Sequence, residues 1–171
     1  MVKAVMACAA LLLAAGAAWS FPKVDGTVAP GEYSRSLSLV DGAVTVSWQA
    51  DQSGGLFVAV AAPTTGWVGI GLGSVVMEGA RIFMGYVKDG MPVFSEQIGV
   101  GHSHSPSPDR SADSFAVSER GGTTTIELHL PADKVPRDGK KVDFIVAYAG
   151  SKDLTTFHDD NHDGGEMDLA P

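Results

Sequence analysis

Four of the five histidines fall in two segments of the chain that carry no strand pattern. His102 and His104 lie in a segment rich in Gly, Ser, Pro and His, and His158 and His162 lie in one rich in Asp, Asn and Gly. Imidazole is a common ligand of transition metals and of haem iron, so these four side chains are candidate ligands. The spacing His-x-His on an extended segment places both rings on one face, which suits a copper or zinc site. His129 lies between two leucines of a predicted strand, and we expect it to face solvent.

The composition excludes several kinds of site. A single cysteine, Cys8, cannot form a disulfide framework, a thiolate zinc site or an iron–sulfur cluster, and no C-x-x-C-H motif is present for covalent haem attachment. The chain also lacks the G-x-S-x-G, H-E-x-x-H and phosphate-binding glycine-loop motifs. The formal net charge of -8 argues against non-specific binding of nucleic acid, which needs a basic surface. We therefore predict an electron carrier or a ligand-binding domain rather than an enzyme.

The methionines add a second kind of ligand. Met77 follows residues 73–76, Gly-Ser-Val-Val, in a predicted loop between two strands, whereas Met84 and Met91 lie in or near strands. A Met77 thioether facing a His158 imidazole would form a Met/His pair on haem iron. Such a pair fills both axial positions and favours reversible electron transfer, because no position stays open for oxygen chemistry.

The acidic C-terminal segment contains part of a calcium-binding pattern. Residues 159–164 match positions 1, 3, 5 and 6 of an EF-hand loop, D-x-N-x-D-G. Position 12 is Ala170, where an EF-hand needs a bidentate Glu, so a complete EF-hand is not expected. A weaker calcium site that uses Asp168 and a solvated acidic tail are the two alternatives.

Short strands are the elements that must position these residues. Turn signals such as the Asp-Gly pairs at 41–42 and 89–90 recur about every 8–12 residues, and no long stretch has a helical period. The pattern predicts an all-β protein, an antiparallel Ig-like β-sandwich of about 9–11 strands. Two long segments, 99–113 and 154–171, are predicted to contain no strand. The predicted strands cover residues 36–40, 43–48, 56–61, 67–72, 80–87, 91–98, 114–118, 123–130 and 141–149.

The N-terminus has the pattern of a signal peptide. Residues 1–20 have a short basic start, an apolar run from Ala4 to Ala18, and small residues flanking Trp19 at a cleavage site. The run of about 15 residues is shorter than the roughly 20 that a transmembrane helix needs. We expect residues 21–171 to form a single exported domain with an acidic C-terminal tail. Its location would be periplasmic or extracellular, with no membrane span in the mature chain.

Three segments, in order, resemble a DOMON domain. Residues 66–73 read G-W-V-G-I-G-L-G and are followed by M-E-G-A-R-I at 77–82 and G-Y-V at 85–87, similar to the family's G-W-x-G-x-G…M-x-G-A-D-I-x-x-G pattern. The loop from Gly101-His102 to Pro108-Asp109 resembles the family's connection that contains Pro and Asp. Residues 144–150, F-I-V-A-Y-A-G, lead to Phe157-His158 and resemble the A-Y-G…H ending of haem-binding members.

The resemblance implies an Ig-like β-sandwich that binds haem b or a sugar. In haem-binding members a Met of the first motif and a His near the end hold the iron, and these positions correspond to Met77 and His158. This sequence departs from the pattern at Arg81, where many members carry Asp. Two roles for Arg81 are open: its cation could lie near a haem propionate, or it could be a surface residue of the strand. His102 and His104 are rival ligands. Candidates for the apolar haem pocket, or for the core behind it, are Trp67, Ile70, Leu72, Ile82 and Met84.

Three functions remain open from the sequence. The first is an exported b-type cytochrome domain that carries single electrons to a redox partner protein, which could be basic or a membrane cytochrome. The second is a carbohydrate-binding module without haem, with Trp67, Tyr86 and Tyr148 as aromatic platforms. The third is a metal-binding protein that uses the histidines His102, His104, His158 and His162.

Overall fold

The computed structural model describes residues 21–170, and within them the regular structure is entirely β. No helix in this range is long and apolar enough to cross a membrane. The predicted signal peptide, residues 1–20, lies outside the described residues. The strands are β1 (Arg35–Leu39), β2 (Val44–Ala50), β3 (Leu56–Ala62), β4 (Val68–Leu72), β5 (Arg81–Lys88), β6 (Met91–Val100), β7 (Ser103–Pro106), β8 (Ser114–Arg120), β9 (Thr123–Leu130), β10 (Lys141–Tyr148) and β11 (His162–Asp168).

The strands form two antiparallel sheets that pack face to face. The first sheet has the order β1-β2-β3-β9-β8, and the second has the order β11-β10-β4-β5-β6-β7. In the second sheet β4 lies between β10 and β5, with Ile70 paired to Val146 on one side and to Phe83 on the other. This arrangement confirms the predicted all-β sandwich, and its eleven strands agree with the expected number.

The core lies between the sheets because side chains alternate between the two faces of each strand. Val58 and Val60 of β3, Ile70 and Leu72 of β4, and Phe144 of β10 are all fully buried there. The residues between them point to the outer faces. A second, smaller apolar cluster lies on the outer face of the second sheet and is formed by Trp67, Ala80, Ile82, Met84 and Ala149.

Two strands lie where the sequence predicts loops. β7 falls within residues 99–113 and β11 within residues 154–171, and both are edge strands of the second sheet. β11 has only one fully buried side chain, Met167, and contains Gly164 and Gly165. An edge strand is stabilised by one row of backbone hydrogen bonds and can expose most of its side chains. Its sequence therefore lacks the alternation by which strands are recognised.

The outer face of the first sheet is covered by the segment 21–33. Glu127 of β9 is fully buried beneath it and accepts hydrogen bonds from three consecutive backbone N–H groups, of Asp25 (3.2 Å), Gly26 (2.6 Å) and Thr27 (3.0 Å). The hydroxyl of Tyr33 donates to the other oxygen at 2.8 Å. Burial raises the pKa of the Glu127 carboxyl above its usual value, although these hydrogen bonds act in the opposite direction.

Candidate functional site

A cavity of about 740 Å³ lies on the outer face of the second sheet. Its floor is formed by outward-facing residues of β4, β5 and β10, among them Gly69, Gly71, Met84 and Ala147. Its walls come from the β4–β5 loop, the β6–β7 turn and the β10–β11 loop. The two segments predicted as functional loops therefore meet at one place, together with the loop that contains Met77.

Two glycines shape the floor of the cavity. Gly69 and Gly71 occupy the outward-facing positions of β4, where other residues would present a side chain to the cavity. A Cβ at Gly71 would lie 2.8 Å from Cγ1 of Ile145 and 3.1 Å from Cβ of Ala80. A Cβ at Gly69 would lie 3.2 Å from Cγ of Met84. At both positions neighbouring side chains pack against the strand backbone in the space that a Cβ would take, and this close packing accounts for part of the G-W-V-G-I-G-L-G segment.

Met77 contributes to one wall and packs partly buried against the outer apolar cluster. Its carbonyl oxygen accepts a hydrogen bond from Ala80 N at 3.1 Å, which closes the turn that leads into β5. Gly79, two residues after Met77, donates from its N–H to the carbonyl of Gly99 at 3.1 Å. The loop is therefore bonded to β6 next to the methionine.

His158 contributes to another wall, close to the start of β4. Its ring lies edge-on to Trp67, with 6.5 Å between centroids and an angle of 85° between planes. Nδ1 lies 2.9 Å from the carbonyl oxygen of Asp159. A carbonyl oxygen can only accept, so Nδ1 carries the proton, and in the neutral imidazole Nε2 retains its lone pair. This tautomer suits a His ligand that binds iron through Nε2.

The other predicted histidine ligands also line the cavity. The ring of His162 lies 4.7 Å from that of His158, centroid to centroid, and His104 Nδ1 is 3.4 Å from Oε1 of Gln97. His102 lines the cavity as well. Within residues 21–170, however, no group of three or more His, Cys, Asp or Glu side chains is arranged to hold a metal ion.

Two carboxylates of the predicted calcium tail, Asp163 and Asp168, have partners within the protein. Asp163 accepts hydrogen bonds from the backbone N–H groups of Gly164 at 2.8 Å and Val40 at 3.1 Å, which hold its pKa below the usual value. Asp168 accepts from Ala170 N at 2.8 Å, and Arg35 lies 3.8 Å from its other oxygen. The strand β11 begins at His162, within this segment, and the calcium site stays a prediction.

The structure separates the predicted pocket residues into two groups. Trp67, Ile82 and Met84 line the cavity. Ile70 and Leu72 face the other way and belong to the core between the sheets, as expected for alternate residues of one strand. Arg81 does not line the cavity in the described residues, and its guanidinium donates to the hydroxyl of Ser111.

Three exposed apolar residues of the cavity were not predicted from the sequence. Val75 is 63% exposed, Val76 is 57% exposed and Phe157 is 70% exposed. The ring of Phe157 lies 4.8 Å from that of His158. Apolar side chains in loops rich in Gly, Ser and Asp are the sequence signal that identifies them. Exposure of three large apolar side chains at one cavity is typical of a binding site.

Trp67 has a buried donor without a partner. The indole is 3% exposed, and its Nε1–H is the one buried side-chain polar group in residues 21–170 that lacks a hydrogen bond. Buried polar groups in native proteins are nearly always bonded, so such an exception commonly marks a functional site. Its burial also means that Trp67 cannot offer a free face for stacking on a sugar, as the carbohydrate hypothesis requires.

Two solved structures with a similar fold are cytochrome domains. The cytochrome b domain of pyranose dehydrogenase from Coprinopsis cinerea matches with a TM-score of 0.59 and 16% identity, over 78% of this chain and 80% of that chain. The cytochrome domain of cellobiose dehydrogenase from Myriococcum thermophilum matches with a TM-score of 0.56 and 12% identity, over 80% of this chain and 81% of that one. No protein-family model and no curated protein matches the sequence. The fold implied by the DOMON resemblance is thus confirmed: this chain has the β-sandwich fold of these cytochrome b domains.

Proposed function

We propose that this chain is a DOMON-type cytochrome domain that binds one haem b non-covalently and carries single electrons. The observation that carries the proposal is the convergence of Met77 and His158 on one apolar cavity above the glycine floor of β4. The two neighbours described above are named as cytochrome domains, which supports the same assignment.

The residues of the cavity fit a haem group. Its volume of about 740 Å³ lies within the usual range of roughly 300–1,000 Å³ for cofactor sites. Gly69 and Gly71 line the cavity and add no side chain to its floor, and the exposed side chains of Val75, Val76 and Phe157 would be covered by a planar macrocycle. A thioether and an imidazole are an established axial pair for haem iron.

Residues of the cavity would have two roles in electron transfer, binding of the iron and exclusion of water. Met77 would supply Sδ from the β4–β5 loop, and His158 would supply Nε2 with its ring held by the Nδ1–H bond to Asp159. Ile82, Met84 and Phe157 would exclude water from the macrocycle. Bound haem supplies the redox chemistry, a reversible one-electron change. Two protein ligands leave no position open for a substrate, so the domain itself is not an enzyme.

The proposal extends to location and partner. Residues 1–20 would direct export to the periplasm or the extracellular space, and the electrons would pass to or from a separate redox protein. Six acidic residues and no Lys or Arg occur in residues 153–168, a segment that includes His158. This charge favours a partner with a basic surface, because complementary charge speeds encounter at low ionic strength.

Absorption spectroscopy of the protein loaded with haem tests the proposal. We expect a Soret band and a low-spin spectrum for the wild type, both ferric and ferrous. Met77→Ala and His158→Ala should each lose the low-spin spectrum, whereas His104→Ala and His162→Ala should keep it. A wild-type protein that takes up no haem would contradict the proposal, and low-spin spectra in both ligand variants would contradict the ligand assignment.

A further inference from the structure

Gly99 of β6 lies directly against the main chain of Met77. A Cβ built on Gly99 would overlap the carbonyl oxygen of Met77, and it would lie 2.6 Å from the carbonyl carbon and 3.2 Å from Cγ of the same residue. The three atoms nearest to that Cβ therefore all belong to Met77. The space that a side chain at Gly99 would fill is occupied by the methionine.

Hydrogen bonds hold the loop in this close approach. Gly99 donates from its N–H to the carbonyl of Ala80 at 2.9 Å and accepts from Gly79 N at 3.1 Å. One residue after β6, the N–H of Gly101 donates to the carboxylate of Glu78. The three residues that follow Met77 are thus tied to the same short stretch of β6 and its turn.

Conformational freedom does not explain the glycine at this position. Gly99 has no left-handed φ, whereas Gly101 two residues later does, with φ of 60°. An alanine at 99 would therefore be compatible with the strand backbone, and its three closest contacts would all be with Met77. The close contact with the Met77 main chain therefore explains why residue 99 has no side chain.

We infer that Gly99, together with Glu78, is a positioning residue that sets where Met77 lies in the cavity wall. This inference rests on the proposed function only in taking Met77 as an iron ligand. Neither residue would touch the haem. Gly99 provides the space against which the Met77 main chain packs, and Glu78 fastens the loop to the turn, so that the thioether reaches the cavity from a fixed backbone.

Gly99→Ala tests the inference, with Gly150→Ala as its control. A Cβ at Gly150 would meet no atom within 4 Å, and Gly150 also has no left-handed φ. In protein that contains methionine labelled with ¹³C at the methyl group, we expect Gly99→Ala to shift the Met77 resonance of the haem-free protein. The resonance of Met167, fully buried in the core, should stay in place. Gly150→Ala should leave both resonances unchanged.

The haem-loaded protein gives the second measurement. Gly99→Ala should retain haem through His158 but show a high-spin spectrum, with affinity about 10- to 100-fold lower, the usual cost of losing a residue that supports a ligand. A merely structural defect would lose both ligands together. If Gly99→Ala keeps the Met77 resonance and the low-spin spectrum of the wild type, the inference is wrong.

Two further outcomes remain decisive. If the wild type takes up no haem, the proposed function fails, and the methyl resonance of the haem-free protein still decides whether Gly99 positions Met77. If Gly99→Ala does not fold, Glu78→Ala removes the bond to Gly101 without adding an atom to the contact. A Met77 resonance unchanged by Glu78→Ala would then overturn the inference.

Discussion

The two outer faces of the sandwich differ in the hydrogen bonding of their polar groups and in the exposure of their apolar side chains. On the first sheet, Glu127 has four donors, and both ring nitrogens of His129 lie near carboxylate oxygens, Asp113 at 2.8 Å and Asp51 at 3.0 Å. On the second sheet, Trp67 Nε1 has no partner, and large apolar side chains are exposed around a cavity.

The difference shows what covers each face. The chain itself covers the first face, because residues 21–33 lie on it and donate to Glu127. The second face is enclosed only at its sides, by three loops. A face that lacks a cover made by its own chain while exposing apolar surface is suited to a ligand.

Removal of the Glu127 carboxylate should uncover the first face. Glu127→Ala would leave three backbone N–H groups and the Tyr33 hydroxyl without their acceptor. Since each buried unsatisfied donor costs roughly 1–3 kcal/mol, we expect a loss of about 3 kcal/mol or more in the free energy of unfolding. Urea denaturation measures it. Glu127→Gln keeps an oxygen for the N–H groups and should lose much less; equal losses in both variants would show that these bonds do not hold the segment.

A side chain on the floor of the second face should compete with the ligand. Gly71→Ala would bring a Cβ to 2.8 Å from Ile145 Cγ1, a contact that forces side chains to move at a cost of about 1–3 kcal/mol. We expect weaker haem uptake, measured by titration of the Soret absorbance, together with this loss of stability. Gly150→Ala, which is outside the cavity lining and adds a Cβ that meets no atom within 4 Å, is the control and should bind haem like the wild type. Unchanged uptake by Gly71→Ala would mean that the floor does not contact the macrocycle.

Acid should weaken the first face through Asp51. Burial raises the pKa of this carboxyl, but hydrogen bonds from Ser53, His129 and Gly55 more than offset it and bring the pKa from 3.8 to about 2. A lowered pKa contributes stability that is complete above pH 4 and is lost as the pH falls toward 2. We expect Asp51→Asn to remove a contribution on the order of 1 kcal/mol, seen as a flatter dependence of the unfolding midpoint on pH. Asp41→Asn, in the first hairpin turn, should leave that dependence as it is.

The smallest effect on stability should come from the rim of the cavity. Phe157 is 70% exposed, so Phe157→Ala should change the free energy of unfolding of the haem-free protein by less than about 0.5 kcal/mol. Haem affinity should nevertheless fall, because the ring would be covered only in the complex. Thermal unfolding without and with haem gives the two values. Equal stabilisation of both proteins by haem would place Phe157 outside the site.

The fold could be predicted from the sequence wherever one side of a strand is buried. Strands such as Thr123–Leu130 alternate clearly, and the Asp-Gly turns at 41–42 and 89–90 adopt the left-handed φ that the pairs predict. β7 and β11 were missed because edge strands with exposed side chains leave little hydrophobic pattern.

The sequence predicts only part of the candidate site. Met77 and His158 were selected from loop position and residue type, and both line the cavity; their role as ligands stays a prediction. Ile70 and Leu72 could not be separated from Trp67 and Met84, since the choice of face depends on which side of the second sheet meets the first. The contact of Gly99 with Met77 joins residues that are distant in sequence, and a glycine alone gives no sign of its partner.

The cavity's position on an outer face also has a consequence for the order of assembly. The core between the sheets contains fully buried side chains such as Phe83, Phe144 and Met167, and Met77 and His158 are not among its residues. Folding would therefore not depend on the proposed cofactor. Under the proposed function the chain would fold first and haem would be inserted afterwards, so that the supply of haem would limit electron transfer without limiting the amount of folded protein.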